Sequence, residues 1–375
     1  MSHSPRIFPA DTMSAQERFD AVIGLKIPDR VPLSLMLYHF APVHTQVQTS
    51  RYMADPAVYS AVMRQVWEEV GPWDLYYNIQ PISRLIYSYV LMMRTLWPGY
   101  ELADDEMVKV VETAYMEDYD YDWVLEQPKV LADPLFRLHM LRRFCPEAEG
   151  LNSARLLPRM LIDLVRQVRG WRRDFRWWRS QGVAIQIGCQ GEMPFDTFSQ
   201  ARSVVDFSID LMTSPEKIGR AATHLARSYA DVSTVVARLM GVPTVQCYCH
   251  RSSNSFISPQ QFEELVLPGL EIVVNRLIDA KITPILHCDG DWLRNLPAMR
   301  RLPAASVVLQ LDGLTDIFEA KQVIGDHMCI FGDVPAALLV EGSPEEVTEY
   351  CHRLIEEVGC NGGFILAAGC EVPPN

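Results

Sequence analysis

The sequence predicts an α/β protein of the (β/α)8 or TIM-barrel class, with an N-terminal helical extension and an insertion on the barrel rim. Eight short apolar runs, each bounded by Gly, Pro or Asp, read as strands buried on both faces of a parallel sheet. Helix start signals recur between them, and the glycine-rich phosphate turn of an open doubly wound sheet is missing. The chain has 375 residues, 49% of them hydrophobic. A barrel with insertions takes up that length as a single domain, 1–375.

The first helix is expected over about 15–25, opened by Ser14-Ala15-Gln16-Glu17, a capping box in which hydroxyl and carboxylate satisfy exposed amides reciprocally. Strands one and two are expected at 31–37 and 74–79. The stretch of about 95–180 is too long for one crossover and is read as an insertion between strands two and three. Its alternating segment, 107–115, suggests a rim hairpin, while Trp171, Trp177 and Trp178 are placed packing the helix that follows onto the barrel. Strands three to eight are expected at 183–187, 244–249, 283–287, 306–311, 328–331 and 363–367. Between them Ser214-Pro215-Glu216, Ser258-Pro259-Gln260 and Ser343-Pro344-Glu345 mark helix starts with Pro at the first helical position. The sequence reaches Asn375 soon after the eighth strand, so either the N-terminal helix covers that side or a further helix lies beyond these residues.

A formal net charge of −13 repels phosphate backbones and anionic lipid, so neither nucleic acid nor a membrane is an expected partner. No apolar run reaches the roughly 20 residues of a membrane span. The nine cysteines are an odd number in a large chain and are read as thiols in a reducing, cytoplasmic setting. Oligomeric state stays open, a homodimer included.

In a barrel of this kind the functional side chains lie just after the strand ends. Here that ring holds Tyr38 and His39, then Asn78, Gln80 and Arg84, then Cys189, Gln190 and Glu192, then Cys249, His250 and Arg251. It continues with His287, Cys288, Asp289 and Asp291, then Asp312, Asp333, Cys370 and Glu371. The sharpest constellation is His287, Asp289 and Cys370, because imidazole, carboxylate and thiolate are all zinc ligands and a catalytic zinc keeps one position open. Residues i and i+2 at a strand end point the same way, so His287 and Asp289 can share an ion while Cys288 turns outward. The alternative is that His287 and Asp289 hydrogen-bond each other and Cys370 is a buried small hydrophobe. Cys249 or His250 could supply a fourth ligand, with Cys249 taken as the metal candidate. Arg251 suits a carboxylate or phosphate at the mouth, or else pairs with a local acid. Tyr248 joins His287, Asp289 and Arg251 as a catalytic candidate. Asn78, Gln190, Asp312 and Asp333 are candidates for holding a cofactor presented at the mouth, although Asp312 and Asp333 could equally cap the next loop or helix. Tyr76, Tyr77, Tyr87 and Trp292 could line an aromatic pocket or lie in the core.

Several segments carry a family resemblance: Glu17-Arg18-Phe19-Asp20-Ala21-Val22 with Pro28-Asp29-Arg30-Val31-Pro32, Phe256-Ile257-Ser258-Pro259-Gln260-Gln261-Phe262, Pro284-Ile285-Leu286-His287-Cys288-Asp289-Gly290, Gly332-Asp333-Val334, and 362–374 around Gly369-Cys370-Glu371. Together they resemble the uroporphyrinogen decarboxylase superfamily, and within it the corrinoid-dependent methyltransferases more than the decarboxylases. The decarboxylases carry an arginine-rich segment after strand one for a many-carboxylate tetrapyrrole, and an aspartate beyond strand two. Here strand one runs into Leu37-Tyr38-His39-Phe40-Ala41-Pro42 and strand two into Asn78-Ile79-Gln80-Pro81. The methyltransferases hold zinc with a His-x-Cys pair after a strand and a Cys in the last Gly-Cys turn. His287 and Cys370 fall on two of those positions, and Asp289 stands where the pair's Cys would be, which makes the site harder. The resemblance implies methyl transfer between a small methylated ether, amine or thiol and a corrinoid protein, with zinc polarising the heteroatom. No cobalamin-binding module of the Asp-x-His-x-x-Gly type is seen, so the corrinoid would arrive on a partner docking over the rim of about 95–125 and the loop after His250. The alternatives are a uroporphyrinogen decarboxylase-like lyase, or a non-catalytic corrinoid or small-molecule binding protein.

Overall fold

A computed structural model describes residues 7–79, 83–149 and 153–374, so Gln80 lies outside the described residues. The eight expected staves are present and parallel. They are formed by β1 (Ser34–Leu35), β2 (Leu75–Tyr76), β5 (Ala184–Ile185) with β6 (Cys189–Glu192), β7 (Thr244–Cys249), β8 (Thr283–Cys288), β9 (Val308–Leu311), β10 (Cys329–Val334) and β11 (Phe364–Ala368). The intervening β3 (Arg94–Leu96) and β4 (Lys109–Val111) pair antiparallel as the rim hairpin that the alternation predicts.

One run of pairing is β1-β2-β5 and the other is β11-β10-β9-β8-β7-β6. Two isolated parallel bridges, Leu33 to Leu366 and Met36 to Glu371, close the ring. The third stave departs from expectation, because it breaks after Ile185 and resumes at Cys189, running on to Glu192. Gly188 sits in the break, where an added Cβ would lie 2.1 Å from the carbonyl oxygen of Val242. Only glycine lets the two backbones approach so closely.

The helix Ala15–Ile23 has its capping box in place, but it plugs the floor of the barrel rather than covering an outer face. Phe19 and Val22 are buried among the inward residues Leu75, Ile285, Phe331 and Ile365. The segments Glu17–Val22 and Pro28–Pro32 meet in a charge network at that floor. Arg18, with no exposed surface, binds Asp74 at 2.7 Å and Asp29 at 2.8 Å, and Arg30 binds Asp11 and Asp74. Above the apolar floor Gln246 donates to Gln310 at 2.7 Å and to the Tyr77 hydroxyl at 3.0 Å, a polar layer beneath the mouth.

Capping boxes also open the helices at Ser258 and Ser343. Ser214 precedes the helix Pro215–Met240 without capping it through its side chain. Trp178 is fully buried and stacks on Tyr76 with ring centroids 4.3 Å apart, so it fastens the helix Ser153–Ser180 to the barrel as expected. Among the described residues no helix is long and apolar enough to cross a membrane.

Candidate metal centre at the barrel mouth

His287 is the penultimate residue of β8, and Asp289 follows that strand. The parallel register sets Tyr248 of β7 beside His287 and Cys249 beside Cys288. Alternation therefore sends Tyr248, His250, His287 and Asp289 to one side and the two cysteines to the other. The His287 Nε2 lies 3.1 Å from Asp289 Oδ1, and the His250 Nε2 lies 3.4 Å from Asp289 Oδ2. One donor atom from each of these three residues falls within 4.8 Å of the others. Cys370, in the turn after β11, reaches the His287 ring with its thiol but stands outside that group of three.

The electrostatics follow from crowding charge into a buried place. For His287 burial favours the neutral ring, but Tyr77, Asp289 and Cys370 outweigh it and hold the imidazole well above its usual range. Burial likewise pushes the Asp289 carboxyl up, and His287 and His250 outweigh that and hold it below its usual value. Together they describe a proton held on the His287 ring beside an ionised Asp289, positive charge in a place that a cation could fill instead, since metal and proton compete for the same lone pairs. Tyr248 packs against both imidazoles, 5.5 Å from the His250 ring and 5.4 Å from His287, and donates its hydroxyl to Gln190 at 2.7 Å. A cavity of about 270 Å³ opens from the rim to this place, lined by Val110, Glu112, Tyr115, Gln200, His250 and Asp289.

The other sequence candidates are placed elsewhere or already committed. Cys249 does not join the cluster: it is a free thiol buried on the outer face of β7, hydrogen-bonded to the Cys288 thiol. Asn78 spends both ends of its amide on Ile187, donating at 2.8 Å and accepting at 2.9 Å, which staples β2 to β5 rather than leaving it free for a cofactor. Asp312 accepts from the Gly290 and Leu314 amides and so shapes the loop that carries Asp289. Arg251 lines the cavity, yet its guanidinium is paired with Glu112 at 2.8 Å and pins the rim hairpin over the mouth. Gln190 is the one cofactor candidate that touches the cluster, through Tyr248. Tyr77 faces the barrel interior, whereas Trp292 is buried against Phe262 in the helical layer.

Asp333 accepts from the Tyr350 hydroxyl at 3.0 Å, away from the cluster. Burial pushes its carboxyl from 3.8 to about 7 despite that bond. The folded chain therefore keeps a proton that the unfolded chain sheds, so this group's stabilisation is complete below pH 4 and is lost as pH rises toward 7. Asp333→Asn should flatten the fall in stability over that window by up to about 4 kcal/mol. Denaturant midpoints at pH 5 and 7.5 measure it, and an unchanged slope rejects the account.

Glu192 is the residue whose part the sequence left unassigned. It ends β6 with no exposed surface, and its Oε2 lies 3.2 Å from His250 Nδ1 at an angle that leaves both carboxylate oxygens without a formed hydrogen bond.

The family model described as uroporphyrinogen decarboxylase (URO-D) matches residues 183–375. The uroporphyrinogen decarboxylase of Trichodesmium erythraeum (strain IMS101) is 31% identical over 116 residues, 30% of this chain. That match spans 31% of the curated relative's length. A methyltransferase from Methanosarcina mazei shares the fold, with a TM-score of 0.66 over 96% of this chain and 94% of that one at 14% identity.

Proposed function

Since the chain belongs to the uroporphyrinogen decarboxylase family, we propose that it is a methyltransferase acting between a small methylated substrate and a corrinoid carried by a separate protein, with a divalent metal at the mouth. The observation that carries this reading is the convergence of imidazole and carboxylate donors at the strand ends, beside Cys370. Their chemistry fits zinc, and Asp289 Oδ1 and His287 Nδ1 are buried without a formed hydrogen bond. His287 and Asp289 would hold the ion. When bound, it supplies Lewis-acid charge to the heteroatom that gives up or receives the methyl group.

The chain's own residues do the rest. Tyr248 packs against both imidazoles and fixes their planes. The Arg251–Glu112 pair holds the end of the hairpin at the edge of the cavity that leads to the site. A hard carboxylate in the donor set leaves more charge on the ion than a thiolate does, which favours the oxygen or nitrogen of an ether or amine over a thiol. The fold shared with the Methanosarcina mazei methyltransferase over nearly the whole chain supports the same reading.

A decarboxylase of the porphyrinogen type is the second reading, favoured by the curated relative. Against it, Arg84 and Arg251 at the rim are already paired, with Glu101 and Glu112, and a many-carboxylate substrate needs free cations. The test is to mix the protein with a reduced corrinoid protein and methyl ethers, amines and thiols in turn, following corrinoid absorbance, and separately with uroporphyrinogen. Corrinoid methylation with one donor class and an untouched porphyrinogen is the expected result. Coproporphyrinogen formed at an enzyme-like rate establishes the lyase instead, and inactivity in both assays leaves a binding protein.

A further inference from the structure

We infer that His250 is the third protein ligand of the metal centre, and that Glu192 is the positioning residue that fixes which of its ring nitrogens faces the ion. The inference rests on the reading of this mouth as a metal site, and it is independent of which group the enzyme transfers.

Four observations carry it. The first is geometric: His250, His287 and Asp289 form a mutually close donor set that Cys370 does not enter. The second is the environment of the His250 ring. Its Nδ1 faces Glu192 Oε2 at 3.2 Å and the Gln200 amide at 3.0 Å, while its Nε2 faces Asp289 at 3.4 Å. The Gln200 Oε1 is buried without a partner, and turning that amide makes it an acceptor like Glu192. Two acceptors at Nδ1 keep the proton there and leave the Nε2 lone pair directed toward Asp289 and His287. Histidine ligands are commonly oriented in this way, by a carboxylate on the ring nitrogen that does not touch the metal.

The third observation is that Glu192 has no exposed surface and, apart from the His250 ring at 3.2 Å, no hydrogen-bond partner on either oxygen. A bare carboxylate in that position is costly unless a positive charge lies close by. The fourth is charge balance. Glu192 and Asp289 bring two negative charges to a site whose two imidazoles are neutral as ligands, and one divalent ion offsets them. Three protein ligands also leave the fourth tetrahedral position open to a substrate heteroatom, which a set completed by Cys370 would occupy.

The test uses zinc itself as the probe. Metal content and zinc affinity are measured by elemental analysis and competition with a chromophoric chelator for the wild type and for His287→Ala, His250→Ala, Glu192→Gln and Cys370→Ser, with circular dichroism and melting of the metal-free proteins as the folding control. The expected result is one zinc in the wild type, loss of affinity by at least about 100-fold in His250→Ala as in His287→Ala, and about 10–100-fold in Glu192→Gln. Cys370→Ser should keep its zinc. X-ray absorption at the zinc edge of the wild type should show scattering from two imidazoles, a result that no misfolded variant can imitate. Full affinity in His250→Ala, or a single imidazole, overturns the inference while the metal site stands. Zinc lost in Cys370→Ser but kept in His250→Ala assigns the third place to the thiol. A wild type that takes up no zinc removes the metal reading itself.

Discussion

Replacing His287 by alanine is expected to lower the rate of methyl transfer to a reduced corrinoid protein by several orders of magnitude while leaving the barrel folded. The ring sits at the end of β8, above the layer of Gln246, Gln310 and Tyr77, and belongs to none of the three apolar clusters of the core. Its removal takes away a metal donor and leaves Asp289 with only the His250 ring at hand. Lewis-acid stabilisation contributes several kcal/mol, and each ~1.4 kcal/mol is a factor of ten in rate. Single-turnover corrinoid absorbance gives the rate, and metal content is read on the same sample. Undiminished methylation by the variant, with metal absent from the wild type too, would refute the mechanism.

Arg18→Met is expected to destabilise the fold by about 3–5 kcal/mol, the usual cost of removing one partner from a buried ion pair. Against a total stability of roughly 5–15 kcal/mol that is enough to leave much of the chain unfolded. The floor holds Arg18 and Arg30 against Asp11, Asp29 and Asp74, so loss of Arg18 leaves Arg30 alone to face three carboxylates. Burial pushes the Asp29 carboxyl up, but the Arg18 guanidinium and the Met13 and Thr12 amides outweigh it and hold it well below its usual value. A depressed carboxylate contributes stability above its unfolded pKa and loses it as pH falls through the folded one. In the variant the Arg18 share of that depression is gone and only the amides remain, so the gap between wild type and Arg18→Met should narrow as pH falls below about 4. Urea denaturation at pH 7 and pH 3.5 separates the cases, because a loss of packing alone would leave the gap constant.

The barrel was legible because strands buried on both faces must be apolar along their whole length, and seven of the staves fall where such runs lie. The third was only half visible. Its upper part, Cys189-Gln190-Gly191-Glu192, is polar and contains a glycine, so nothing in its composition marks it as a strand. With that half stave went the role of Glu192. The sequence offers Cys249 or His250 as a further ligand, Cys249 being the one taken, and nothing in Cys247-Tyr248-Cys249-His250 itself says which side chain faces the mouth. Parity along β7 puts Tyr248 and His250 on one side, while Cys249 packs outward against Cys288. Asn78, Asp312 and Asp333 lie at strand ends as the ring requires, but long-range partners commit them: Ile187, Gly290 and Tyr350. No local pattern encodes those pairings.

The closure of the ring has a consequence for how the chain is made. Its seam joins Leu33 to Leu366, so the first stave emerges from the ribosome with a bare edge that stays unpaired until almost all of the barrel has been synthesised. Bare edges recruit wrong partners, other nascent chains among them. In β1 the hazard is blunted by length, for only Ser34 and Leu35 take part in its ladder. The Leu33 amide is meanwhile bonded to the Asp74 carboxylate at 2.9 Å, which ties the edge to the neighbouring stave within the first fifth of the chain. What waits for the last strand is closure alone, a long-range contact whose loop entropy is met by a sheet already assembled.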